Sequence, residues 1–210
     1  MIIAIDGPAG TGKSTIANMI ADKLNITFLN SGGFYRTLTL AVLDAGIDYS
    51  DEEKTLEFCK KQKIEYTKEG HFILNGEDVT SKLHEDRISN NASQVSSNVG
   101  IRHFVNDLMQ EITKSLSIVC EGRDMTTVVF PNAEYKVYLD ASVEVRAKRR
   151  FEQGVSDMTY EEIRDSIAKR DEMDKNKKEG ALKIAPDALY IDTSNLTIDN
   201  VCAIILKQIS

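Results

Sequence analysis

This 210-residue sequence has little cysteine, no excess of basic charge and no long apolar run. Its three cysteines, Cys59, Cys120 and Cys202, lie far apart. An odd number without metal or redox spacing gives neither a disulfide framework nor a zinc knuckle, and predicts reduced thiols in the packing of a cytoplasmic protein. Acidic residues outnumber basic ones by 33 to 26, a formal charge of −7. That balance argues against a general electrostatic grip on nucleic acid, though not against one local basic pocket for small phosphates. No run approaches the ~18 apolar residues of a membrane span. The apolar start, MIIAIDGPAG, lacks a basic flank and carries Asp6, so it reads as a strand and not as a signal peptide. Repeats and low-complexity stretches are absent. What remains, 41% hydrophobic and 28% charged residues, is one generous domain, or one core with an insertion.

Along the chain, short β-branched runs alternate with segments of helical period. Ile2–Ile5 predicts a buried strand, ended by Asp6-Gly7-Pro8. From Lys13 to Leu24, Ile16, Ile20 and Leu24 recur every fourth residue, one face of a helix. Residues 27–29 predict a second strand, and Ser31 caps a helix running to Ala45, stopped by Gly46. Ser50 to Glu53 has the pattern of a capping box. Strand-like pieces at 63–67, 71–74 and 77–80 follow, split by Glu69-Gly70 and Asn75-Gly76, a small antiparallel patch. Helices are predicted at 86–95, 100–114, from Ser142, at 159–175 and at 197–209, and further strands at 117–120, 135–139 and 189–191. The alternation predicts an α/β fold, a parallel sheet with helices on its faces.

Gly7-Pro8-Ala9-Gly10-Thr11-Gly12-Lys13-Ser14 matches G-x-x-x-x-G-K-[ST] between a strand and a helix. Glycines let the backbone curl its N–H groups around phosphate oxygens, and the helix N-terminus adds a positive dipole end. Lys13 reaches the outer phosphates, and a hydroxyl, Ser14 or Thr15, can hold Mg²⁺. The loop predicts ATP-type binding, but the same cradle serves switches, ATPases and kinases. Tyr35 and Arg36 near a helix start, and Arg123-Asp124 after a strand, bring cations towards the carboxyl ends of the strands, where α/β sheets bind ligands. Glu121, which follows an apolar strand, reads either as a capped strand end or as a carboxylate that orients Mg²⁺ through water. The run Arg146-Ala147-Lys148-Arg149-Arg150 and the charged stretch from Arg170 to Lys177 read either as solvated helix faces or as cations of a lid, with Gly154 and Gly180 as hinge points.

The blocks IAIDGPAGTGKST, LNSGGFYR, LNGEDVT, NASQVSSNVGIR, EGRDMTTVVFP, RDEMDKNK and APDALYIDTS together resemble the bacterial-type cytidylate kinases over nearly the whole chain. The resemblance implies an adenylate-kinase-like P-loop core (about 1–30, 98–150 and 184–210), a nucleoside monophosphate region with the insertion (about 31–97) and a helical lid (about 151–183). It implies a monomer without nucleic-acid or membrane partners, using ATP and Mg²⁺ to phosphorylate CMP or dCMP. Ser31, Tyr35 and Arg36 would hold the acceptor. Ser93, Arg102 and Asp124 would read cytosine, Arg123 would bind phosphate, and Arg170 and Asp174 would sit near the sugar. Lys13, Arg123, Arg150 and Arg170 would neutralise the transferred group. Two departures stand out: Ser14 occupies a position where the family commonly has glycine, and Lys177 one where relatives often carry arginine, which loses the bidentate fork. A kinase of another acceptor such as UMP, or a non-catalytic nucleotide switch, is the alternative reading.

Overall fold

The computed structural model describes residues 1–154 and 158–209. They form two compact units, Met1–Phe28 with Ser117–Ser210, and Leu29–Leu116. Residues 155–157 of the expected lid lie outside the described residues.

The first unit is built on a five-stranded sheet. Its strands are β1 (Ile2–Asp6), β2 (Thr27–Asn30, whose end carries the chain onward), β3 (Ile118–Gly122), β4 (Tyr135–Asp140) and β5 (Leu189–Asp192), in the order β2-β3-β1-β4-β5. The pairs β1–β3, β1–β4 and β4–β5 are parallel, with Ile3 opposite Val119 and Tyr135. Two helices, α1 (Lys13–Leu24) and α2 (Ile198–Ile209), pack against the sheet. Ile16 and Ile20 of α1, Val201, Cys202 and Ile205 of α2, and Ile3, Ile5, Val137 and Leu139 of the strands make one buried cluster. The fourfold spacing of isoleucines thus found its core, and each such side chain contributes about 1.5–3 kcal/mol on burial. Two further helices, α3 (Val143–Glu152) and α4 (Tyr160–Lys175), share a small core of Ala147, Ile163 and Ile167. Thr159 caps α4 in a reciprocal box with Glu162. The charged stretch is therefore anchored by an apolar i, i+4 pair that its overall polarity concealed. Because β2 and β4 lie on opposite sides of β1, the sheet order reverses at β1, which places a binding crevice at its carboxyl end.

The second unit holds α5 (Ser31–Asp44), α6 (Glu52–Lys60), α7 (Asp86–Val95) and α8 (Val99–Thr113), with a three-stranded antiparallel sheet of β6 (Ile64–Tyr66), β7 (Phe72–Leu74) and β8 (Glu77–Asp78). Its hairpin turns at Asn75 and Gly76, both at positive φ (52° and 91°), as the Asn-Gly signal predicts. Phe34, Tyr66 and Phe72 pack with ring centroids 4.8–5.6 Å apart and fasten the small sheet onto α5. Gly33 is required there: a Cβ would sit 2.1 Å from the Phe72 ring.

Two caps differ from the sequence expectation. Asn30, not Ser31, caps α5, its side chain accepting from the Gly33 N–H. Asp51, not Ser50, caps α6 by accepting from Lys54. In both places adjacent residues are capping types, and the extended backbone of the chosen one decides. The strand at 117–120 also runs further, through Glu121 and Gly122. All three cysteines are buried and unbridged, and among the described residues no helix is long and apolar enough to cross a membrane.

Candidate active site

The phosphate loop leaves β1 at Gly7, whose φ is 151°. A Cβ here would lie 2.0 Å from the Leu139 carbonyl oxygen, so only glycine lets β1 run this close to β4. Gly10 and Gly12 also take positive φ, and Gly12 sits at the N-cap of α1. Lys13 is buried and donates through Nζ to the Pro8 carbonyl at 2.7 Å, which also accepts from the Thr11 hydroxyl at 3.1 Å. Burial presses the Lys13 ammonium down to about 7; the positive charges of Arg123 and Arg170 push the same way, while Glu121 and Asp6 oppose them.

Ser14 donates through Oγ to Glu121 Oε1 at 3.0 Å. A hydroxyl and a carboxylate oxygen side by side are the hard donors that suit Mg²⁺, which takes few protein ligands and fills its shell with phosphate oxygens and water. The described residues contain no cluster of three or more His, Cys, Asp or Glu side chains suited to a metal. Thr15 faces the neighbouring cleft. That cleft, about 550 Å³, is lined by the loop from Gly10 to Thr15 and by Arg149, Gln153, Leu196, Thr197 and Ile198.

Beyond β3 the chain makes a short π-helical turn, Met125–Val129, which the sequence did not announce. Asp6, fully buried, holds it. Its carboxylate accepts from the Met125 and Thr126 N–H groups at 2.9 and 2.8 Å and from the Thr126 hydroxyl at 2.6 Å. Burial still raises this carboxyl to about 6 against those bonds. Asp124 is buried at the head of the turn, and its backbone carbonyl accepts from Val128 and Val129. Arg123 donates through Nε to Asp174 Oδ2 at 2.6 Å, and Lys177 donates to Asp174 Oδ1 at 2.8 Å. Burial works to raise the Asp174 carboxyl, but Arg123 and Lys177 together hold it below its ordinary value. Arg170, exposed one turn earlier on α4, is the other cation felt at Lys13.

The basic run on α3 splits in a way its sequence does not reveal. Arg150 is exposed. Arg149 donates to the Thr193 hydroxyl and carbonyl at 3.1 and 2.6 Å, tying the end of β5 to the cleft. Arg146 is neither a solvated nor a lid cation: it is 3% exposed and bonded throughout. No spacing signal distinguishes these three. In the second unit, Ser31 is buried in the first turn of α5, Arg36 is half-buried, and Arg102 of α8 stacks over the Tyr35 ring at 5.8 Å. Ser93 is exposed on α7, its carbonyl accepting from the Ser96 hydroxyl. Asp6, Arg149 and the cleft residues 196–198 were missed by sequence reasoning. Only Asp6, a carboxyl ending an apolar strand, carried a usable signal.

Comparison with known proteins now has a geometry to meet. A profile of the family described as "Cytidylate kinase" matches residues 3–210. A cytidylate kinase of Borrelia hermsii is 45% identical over 99% of this chain and 97% of its own length. One of Borreliella burgdorferi is 42% identical over 99% and 96%. Among solved structures, a shikimate kinase of Bacteroides thetaiotaomicron superposes with a TM-score of 0.53 at 13% identity, covering 100% of this chain and 98% of that one. At that identity the likeness concerns the fold alone.

Proposed function

The chain belongs to the cytidylate kinase family, and we propose that it transfers the γ-phosphoryl group of ATP to the phosphate of CMP or dCMP, giving ADP and CDP or dCDP. One observation above all supports this: Asp174 gathers Arg123 and Lys177, neither belonging to the phosphate loop, into a cluster of two cations on one carboxylate. A nucleotide switch needs no such second set of phosphate-facing cations.

The loop from Gly7 to Thr15 cradles the triphosphate through its N–H groups, and the cleft walled by Leu196 and Ile198 takes the nucleoside of ATP. Lys13 exchanges its bond to the Pro8 carbonyl for phosphate oxygen and is recharged by it. Ser14, supported by Glu121, would hold Mg²⁺, which when bound supplies charge neutralisation across the phosphates. Arg123 and Lys177 are pre-aligned by Asp174, and together with Arg170 they present positive charge where charge spreads in a loose phosphoryl-transfer transition state. Arg150, exposed on α3, is the remaining cation we assign to the transferred group. Positioning and electrostatics carry the reaction, without a general base.

On the acceptor side, the first unit offers Asp124 to the cytosine amino group and Asp174 near the sugar. The second unit offers Ser31, Tyr35, Arg36, Ser93 and Arg102. Arg102, its guanidinium carbon 5.8 Å from the Tyr35 ring centroid, offers planar N–H donors of the kind that suit cytosine N3 and O2. We propose that the enzyme works as a monomer. Three separately buried thiols support a reducing, cytoplasmic setting.

A coupled assay of ADP release across nucleoside monophosphates tests the reading. CMP and dCMP are expected to lead, and CMP without triphosphate is expected to raise the Tm by mass action. Preference for UMP would reassign the acceptor, and nucleotide binding without ADP release would make the chain a switch.

A further inference from the structure

The most completely bonded charge in the first unit belongs to no step described so far. Arg146 of α3 donates Nε to the Ala141 carbonyl at 2.8 Å and Nη1 to the Ala9 carbonyl at 3.0 Å. It also meets Asp171 in a bidentate pair, Nη1 to Oδ1 at 3.1 Å and Nη2 to Oδ2 at 2.5 Å. Each end lies at a strategic place. Ala141 follows β4, Ala9 is inside the phosphate loop, and Asp171 sits on α4 directly after Arg170 and one turn before Asp174. The α3 backbone is also tight against the loop, since a Cβ at Gly10 would come within 3.2 Å of the Arg146 Cβ.

Stability alone gives no reason for an ion pair here. Burying a guanidinium and a carboxylate carries a large desolvation penalty, and apolar pairs of similar volume commonly serve as well or better. What an apolar pair cannot do is bond to the loop carbonyl of Ala9 and to α4 at once. We infer that Arg146 is a positioning residue for phosphoryl transfer: through Ala9 and Asp171 it fixes α4 to the phosphate loop, and so sets where Arg170 and Asp174 stand relative to Lys13. This rests on the reading of Lys13 and Arg170 as phosphate cations. It makes α4 a fixed arm on the phosphate loop.

The test separates positioning from folding by measuring Tm together with kcat and KM for ATP and CMP. Arg146→Met alone strands Asp171 and is expected to lower the Tm. The double variant Arg146→Met with Asp171→Leu is expected to restore the Tm while kcat stays at least about tenfold down, because a displacement near 1 Å can cost up to about a hundredfold. Its KM values should move far less. A double variant with wild-type Tm and wild-type kcat overturns the inference, leaving the pair purely structural. Should that variant not fold, Arg146→Lys decides instead. It keeps the charge beside Asp171 but cannot reach both carbonyls, and an unchanged kcat in it is equally fatal. Lys13→Met measured alongside keeps the two readings apart: if it retains kcat, the phosphate-loop mechanism fails, whatever Arg146 does.

Discussion

Asp171 and Asp174 stand one turn apart on the same helix, both buried, each paired with an arginine, yet the two pairs are built for different ends. At Asp171 the guanidinium of Arg146 is turned wholly inward, with two backbone carbonyls and both carboxylate oxygens as partners. At Asp174 the carboxylate is shared between Arg123 and the partly exposed Lys177. The first arrangement accounts for nearly every donor and is a strut. The second gathers two cations around one anion, a local positive excess that a phosphate would complete. An ion pair's role is therefore read from its remaining donors and from the net charge of its cluster, not from the pair itself.

The largest effect is expected at the lysine of the phosphate loop. Lys13→Met should lower kcat by about 10²-fold or more, the scale of losing one preorganised electrostatic donor, with the fold retained by circular dichroism. Arg123→Ala should also lower kcat, by about 10²-fold, with a smaller loss of Tm than Arg146→Met, because Asp174 keeps Lys177 as a partner whereas Asp171 is left without its arginine. An equal Tm loss in both would erase the distinction. Lys177→Ala should cost about 1.5–3 kcal/mol in kcat/KM for CMP if its contact to charged phosphate is real. Lys177→Arg should hold or improve that value, since a fork replaces a point charge. Asp124→Asn should narrow the CMP over UMP ratio of kcat/KM by about tenfold, because an amide can donate to the uracil oxygen where a carboxylate only accepts; an unchanged ratio would leave Asp124 as support for its turn.

The smallest effect expected is a proton. With the Lys13 ammonium pressed to about 7, the folded protein holds fewer protons than the unfolded chain between about pH 7 and the ordinary 10.5. The contribution of Lys13 to stability therefore rises with pH across that window and is lowest below it. Phosphate oxygens raise the lysine again. ATP binding at pH 8 should then draw a proton from the buffer, seen calorimetrically as a dependence of binding heat on buffer ionisation enthalpy. The dependence should vanish in Lys13→Met.

Much of this site was legible in the sequence wherever chemistry and spacing are local. The phosphate loop needs its glycines and lysine at fixed offsets because one turn of backbone makes the cradle. The isoleucines of α1 and the Asn75-Gly76 hairpin likewise follow from the period of a single element. The caps were legible to within one residue. Asn30 beside Ser31 and Asp51 beside Ser50 offer two capping side chains each, and only the backbone angles choose between them.

The loop, the alternation that makes a parallel sheet, and the residue types able to handle phosphate are all written locally in the chain. Which charges end up buried, paired or exposed was settled by folding. Arg146, Arg149 and Arg150 are near-identical in sequence context, yet one is a buried strut, one ties the end of β5, and one faces solvent. Asp6 and Thr126 meet across 120 positions of chain to hold the turn that carries Asp124. The physical reason is that a charge takes its role from its desolvation and its partners, and both are supplied by segments distant in sequence that only folding brings together.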